Sequence, residues 1–183
     1  MHTNAEFIDP PGRRIGALAL IRNAAGAVLL VEKRYRKEAG SERPWGLVGG
    51  CARRDEDLLD AFRREVHEET GQDVEPGDVL TIHRMPANGE SEEGYNFVCD
   101  GGVMDENAEL QLPVRELSAY RFVPVSEVAD YAEPYTVARI RAALEALEGG
   151  RDALPRGASG IGPKFSPLRQ CAKAGPASPT QEG

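Results

Sequence analysis

The chain is short of cysteine, of histidine and of long apolar runs, and each shortage removes a class of protein. Its three cysteines, Cys51, Cys99 and Cys171, are an odd number in 183 residues with no C-x-x-C spacing. That excludes a disulfide framework and a cysteine zinc site, and it suits reduced thiols. Cys51 reads as a small, half-buried filler with no chemical role. The three histidines, His2, His67 and His83, are scattered, so metal ligation has to rest on oxygen donors. No apolar stretch is long enough to span a bilayer, and the N-terminal residues lack the apolar core of a secretory signal. The expected setting is the cytoplasm, with no membrane partner. Positive charge is short as well: 22 Lys and Arg against 30 Asp and Glu leave a net charge of -8. A nucleic acid polymer is a poor partner for such a surface, because its phosphates would be repelled.

What is present is enough for one folded domain, with 40% hydrophobic and 28% charged residues. Alternating apolar residues mark strands over 14 to 21 and 27 to 35, joined by the turn at 23 to 26. A polar loop leads to a short strand over 45 to 48 and a Gly49-Gly50 turn. Further strands are expected over 79 to 85, 95 to 103 and 118 to 123, with an acidic loop holding Glu90, Glu92 and Glu93 between the first two. A short helix near 125 to 131 precedes a longer one over 135 to 147, where Val137, Ile140, Leu144 and Leu147 recur at helical spacing. Strands alternating with helices imply an α/β or α+β sandwich. Residues 1 to 13 form a leader and 14 to 148 the domain. Residues 149 to 183 hold five of thirteen prolines, seven of twenty glycines and a net charge of +3, leaving -11 before them; this is the composition of a disordered, solvated tail.

The densest chemistry lies between Gly50 and Gly71 (GCARRDEDLLDAFRREVHEETG). Asp57 is a natural N-cap and Gly71 a natural C-terminal stop, so the spacing predicts a helix between them. At about 100° per residue, Glu69 falls inside the apolar stripe of Leu58, Phe62 and Val66, while Glu65 and Glu68 lie along its edge. His67 points to solvent. A carboxylate on a buried stripe costs several kcal/mol unless a cation is beside it. Clustered carboxylates without histidine or cysteine suit a hard divalent ion, Mg²⁺ with Mn²⁺ as substitute. Ordinary surface acids paired with Arg63 and Arg64 are the plain alternative, and they leave Glu69 unexplained.

The order Gly50, five residues, Glu56, seven residues, Arg64-Glu65-Val66-His67-Glu68-Glu69-Thr70-Gly71 resembles the Nudix box. All seven fixed positions agree, a coincidence expected about once in 10⁸ starting points at average residue usage; the final apolar position is the departure, being Gln72. The resemblance implies a Nudix fold, with a mixed central sheet between the box helix and the C-terminal helix. It implies Glu65, Glu68 and Glu69 as metal ligands with the Gly49 carbonyl, Arg64 orienting the first glutamate, and Glu56 supporting it. The implied reaction is hydrolysis of a diphosphate linkage in a nucleoside diphosphate joined to another group, either a nucleoside triphosphate or an ADP-ribose-like compound. The general base stays open among Glu68, Glu116 and the Glu90, Glu92 and Glu93 loop, in that order of preference. Arg34, at the end of its strand in a basic segment, is the expected phosphate contact; Tyr35 and Tyr95 are candidates to stack a base, whereas Trp45 reads as core. The expected partner is a small nucleotide, bound by a monomer or a homodimer. The competing function is a catalytically silent nucleotide sensor.

Overall fold

The computed structural model describes residues 12–88 and 92–149. Among the described residues six strands and four helices follow in the order β1 (Arg14–Arg22), β2 (Val28–Lys33), α1 (Arg34–Glu38), β3 (Trp45–Cys51), α2 (Leu58–Thr70), β4 (Val79–Met85), β5 (Gly94–Val103), β6 (Leu117–Val123), α3 (Val128–Tyr131) and α4 (Pro134–Glu148). The strands form one mixed sheet in the order β4-β5-β1-β3-β2-β6, in which only β1 and β5 are parallel.

Period-2 alternation sorts the strand residues onto two faces. Ala17, Ala19, Ile21, Leu29, Val31 and Val48 pack with Ala61, Phe62 and Val66 of α2. Leu18, Leu20, Leu30, Leu47 and Val98 pack with Val137, Ile140 and Ala143 of α4. The molecule is therefore the expected α+β sandwich, with the sheet between the box helix and the C-terminal helix. Among the described residues no helix is long and apolar enough to cross a membrane.

Strand β3 shapes the site. Its first half, Trp45 to Leu47, pairs with β2 and its second half, Val48 to Cys51, pairs with β1. It thus lies between the arms of a hairpin that touch at Arg22 and Val28. The expected Gly49-Gly50 turn is instead part of this strand, because both residues pair with β1. Gly49 takes φ of 124°, and an added Cβ there would collide with the Ala17 carbonyl, so only glycine fits.

The other difference lies after β2. The strand stops at Lys33, and Arg34 and Tyr35 open helix α1 where the sequence reads as strand end and polar loop. None of the α1 residues is buried, so the helix has no apolar stripe to betray it. Residues 1–11, 89–91 and 150–183, and with them most of the expected leader, Glu90 and nearly all of the tail, lie outside the described residues.

Candidate active site

Helix α2 forms for the local reasons its sequence suggests. The Asp57 carboxylate accepts the Leu59 N–H at 2.8 Å, and Gly71, at φ of 72°, donates its N–H to the His67 carbonyl. His67 faces solvent and meets Asp73 at 2.9 Å. The apolar stripe docks α2 on β1 and β3, and this brings the box glutamates against the Gly49-Gly50 backbone.

Arg64 is the hub of the outer half of the site. Its Nε and Nη2 hold the two Glu56 oxygens at 2.6 and 2.8 Å, and Nη1 donates to Glu65 at 2.8 Å and to Glu68 at 3.0 Å. Nη2 also reaches the Cys51 carbonyl at 3.2 Å. The guanidinium holds the Glu56 carboxyl down to about 2, helped by the Arg53 backbone N–H, and its own proton is held more tightly in return. Glu65 lies against Gly50: an added Cβ there would stand within 2.7 Å of its carboxylate atoms. Glu68 is the open member, its side chain 47% exposed between Arg53 and Arg64.

Glu69 occupies the inner half. It is 4% exposed, as the helical wheel requires, yet it does not lack a cation. The Lys33 ammonium pairs with Oε1 and also donates to the Gly49 carbonyl at 3.1 Å, while the Gly49 N–H donates to Oε2 at 2.8 Å. Burial pushes the Glu69 carboxyl up, against the opposing pull of Lys33 and the Gly49 N–H. The cation that the buried carboxylate requires is thus present in the chain itself, as the Lys33 ammonium. Lys33 belongs to the basic segment that holds Arg34, and the sequence reading did not single it out for this role. The signal was available, since Leu29, Val31 and Lys33 alternate onto the same face that buries Glu69.

A model of the NUDIX domain matches residues 12–146. The chain belongs to the Nudix family. Its fold is that of the Nudix hydrolases, and it is a Nudix-type pyrophosphohydrolase, an enzyme acting on acid anhydrides. Among solved structures it is similar to the MutT protein of Methanosarcina mazei, at 25% identity and a TM-score of 0.60 over 78% of this chain and 99% of that one. It is also similar to the NUDIX domain of Shewanella oneidensis NrtR complexed with ADP ribose, at 19% identity and 0.59 over 80% and 99%. An ADP-ribose pyrophosphatase from Streptococcus suis follows at 22% identity and 0.54, over 78% and 96%. Among curated proteins none matches the sequence significantly.

The Nudix family generally uses a divalent metal, and the donors of this chain fit one. Among the described residues no three acidic, histidine or cysteine side chains already form a cage. However, the Lys33 ammonium stands as a cation between the Glu69 carboxylate and the Gly49 carbonyl, and Arg64 Nη1 is shared by Glu65 and Glu68. Oxygen donors that collect cations in this way suit a hard ion.

The remaining expected residues are spread more widely. Glu116 is exposed at the entry to β6, and its carbonyl accepts the Arg34 N–H at 2.8 Å, which sets it beside the Lys33 end of β2. The Arg34 side chain is committed to the Val114 carbonyl at 3.0 Å, so it braces this loop. Tyr35, on α1, is 64% exposed, and Tyr95, on β5, is 36% exposed. Strands β1 and β3 stand between β5 and β2, so the two rings do not form one stacking pair. Glu93 is clamped by Arg13 and Arg84 on the outer wing of the sheet. Trp45 packs edge-on to Tyr131 at 5.6 Å, as a core residue. Cys51, expected half-buried, is exposed at the end of β3.

Proposed function

We propose that this Nudix hydrolase cleaves a diphosphate linkage in a nucleoside diphosphate joined to another group, with Mg²⁺ or Mn²⁺, in the cytoplasm. The observation that carries the reading is the paired arrangement on one strand and one helix. Glu65 and Glu68 converge on a single Arg64 nitrogen, and Glu69 and the Gly49 carbonyl converge on the Lys33 ammonium. Glu65, Glu68, Glu69 and the Gly49 carbonyl would hold the ion. When bound it would neutralise diphosphate charge and lower the pKa of a coordinated water.

The chain's own residues do the rest. Arg64 fixes the Glu65 carboxylate, and Glu56 fixes Arg64 by two charged hydrogen bonds. Glu68, the most exposed of the box glutamates, would accept the proton of the attacking water, with Glu116 as the second candidate. Tyr35 and Tyr95, both exposed, remain the candidates to stack a base. The ADP ribose named for the similar NrtR domain and the Streptococcus suis enzyme supports an ADP-ribose-like substrate, and a nucleoside triphosphate stands beside it, as the similar E. coli dihydroneopterin triphosphate pyrophosphohydrolase supports.

The test is turnover of ADP-ribose, nucleotide sugars and nucleoside triphosphates with Mg²⁺, Mn²⁺ or EDTA. Metal-dependent release of a nucleoside monophosphate, abolished by Glu69→Gln and Glu65→Gln, is expected. Tight ADP-ribose binding with no product from any compound would refute the enzyme and establish a silent binding domain instead.

A further inference from the structure

Arg139 on α4 is a buried cation that the box chemistry does not use. It is 7% exposed, and among the described residues no carboxylate lies within ion-pair distance of it. Its Nη2 meets His83 Nδ1 at 3.2 Å and the Met85 sulfur at 3.6 Å, and its Nε is buried with no hydrogen-bond partner. Thr136 Oγ1, one turn earlier on the same helix, is buried and unpartnered too. A guanidinium withdrawn from water without a counter-charge is costly, and an anion beside it would remove that cost.

Two further arginines with no carboxylate partner among the described residues share its neighbourhood. Arg36 and Arg139 both stand 5.9 Å from the Tyr135 ring, and Arg36 donates to the Trp45 carbonyl at 3.3 Å. Arg14 donates to the Glu92 carbonyl and to the Cys51 sulfur. Strand register sets Arg14 opposite Gly94, and Gly94 opposite Met85, so a residue without a side chain lies between Arg14 and the Arg139 contact. Burial, and next to it the charge of Arg36, pull the Arg139 guanidinium down to about 10. In a body whose net charge is -11, three cations with no carboxylate partner among the described residues lie near enough for the charges of Arg36 and Arg14 to act on Arg139.

We propose that Arg139, with Arg36 and Arg14, recognises a phosphoryl group that the substrate carries in addition to the diphosphate it loses. The surface begins one residue from the box: Cys51, which touches Arg14, follows Gly50, which backs Glu65. An extended diphosphate compound can lie across the end of β3 with its scissile bond at Glu65 and its further phosphate at Arg139. The planar fork of arginine matches phosphate oxygens in pairs, and a dianion offsets most of the charge gathered here. The substrate class is thus a nucleoside diphosphate derivative bearing a separate phosphomonoester. This rests on the hydrolase reading above, and two arms keep the readings apart.

In the first arm, inorganic phosphate is titrated calorimetrically into the full chain in EDTA, where no turnover occurs. Millimolar or tighter binding is expected, weakened at least ten-fold in Arg139→Gln and in the less buried Arg36→Gln, partly kept in Arg139→Lys, and unchanged in Arg63→Gln, a surface cation paired with Asp60 and Glu75. Absence of phosphate binding, or equal binding in the folded Arg139 and Arg36 variants, overturns the proposal. In the second, kcat/KM is compared for ADP-ribose and its 2′-phosphate. The wild type should prefer the phosphorylated compound, and Arg139→Lys and Arg36→Gln should lower that ratio at least ten-fold. A merely structural role would lower both rates and leave the ratio alone, which also overturns the proposal. If neither compound is turned over, the hydrolase reading fails while the phosphate titration still judges this one.

Discussion

Removing the Lys33 ammonium by Lys33→Met keeps the side chain's volume and leaves Glu69 buried without its cation. The two side chains are only 11% and 5% exposed, so solvent cannot take over. Breaking a buried pair from one side costs about 3–5 kcal/mol. Protonation sets the ceiling: a carboxyl whose ordinary value is 4.5 can be held neutral at pH 7 for about 3.4 kcal/mol. The expected loss at pH 7 in EDTA is therefore ~3 kcal/mol, or a fall in Tm of roughly 10 °C for a domain of this size. The sign of the pH dependence follows from the upward shift. A folded carboxyl that titrates above its unfolded value binds the extra proton, so variant stability is retained below pH 4.5 and lost as pH rises beyond it. At pH 5 the deficit shrinks to about 1 kcal/mol. Glu69→Gln in the same chain removes the charge and still accepts the Gly49 N–H, so the double variant should recover most of the loss. Mg²⁺ should stabilise Lys33→Met more than the wild type, because it competes with no ammonium there. Urea unfolding at pH 5 and pH 7, with EDTA and with Mg²⁺, measures all of this. A Lys33→Met protein as stable as the wild type at pH 7, with no gain from the second substitution, would refute the assignment of Lys33 as the counter-ion of Glu69.

Four other outcomes are expected. Arg64→Lys loses the two-pronged grip on Glu56 and the shared contact to Glu65 and Glu68, and kcat should fall roughly 10- to 100-fold with stability little changed in comparison, checked by steady-state kinetics and melting curves. Glu56, held down to about 2 by Arg64, contributes stability that is fully present above pH 4.5 and lost as pH falls toward 2; the stability gap between wild type and Glu56→Gln should close over that window in acid titrations followed by circular dichroism. Gly49→Ala meets both a φ of 124° and the Ala17 carbonyl, so it should destabilise the protein by more than the ~1–3 kcal/mol of backbone strain alone, read from urea midpoints. Cys99 is buried and its thiol is pushed up to about 12, so a chain carrying Cys51→Ser and Cys171→Ser should show no thiol titre until denatured.

Local sequence alone settled a good deal. The box helix begins at Asp57 and ends at Gly71 because its capping residues act on their own neighbours within a turn. The burial of Glu69 followed from helical pitch, since pitch is the same in every helix. The sheet strands followed from apolar alternation, and α1 escaped because a helix with no buried face leaves no alternation to read. What neutralises Glu69 was beyond that reach. Lys33 lies thirty-six residues away and meets it only because β2, β3 and α2 are packed together, with Gly49 bridging the two. The Arg139 surface is likewise a product of assembly: its members come from β1, β4, α1 and α4, and each looks ordinary in its own segment. A sequence states which residue types are available and which faces they occupy locally. Which charge is left without a partner depends on long-range packing, because only packing decides what stands beside it.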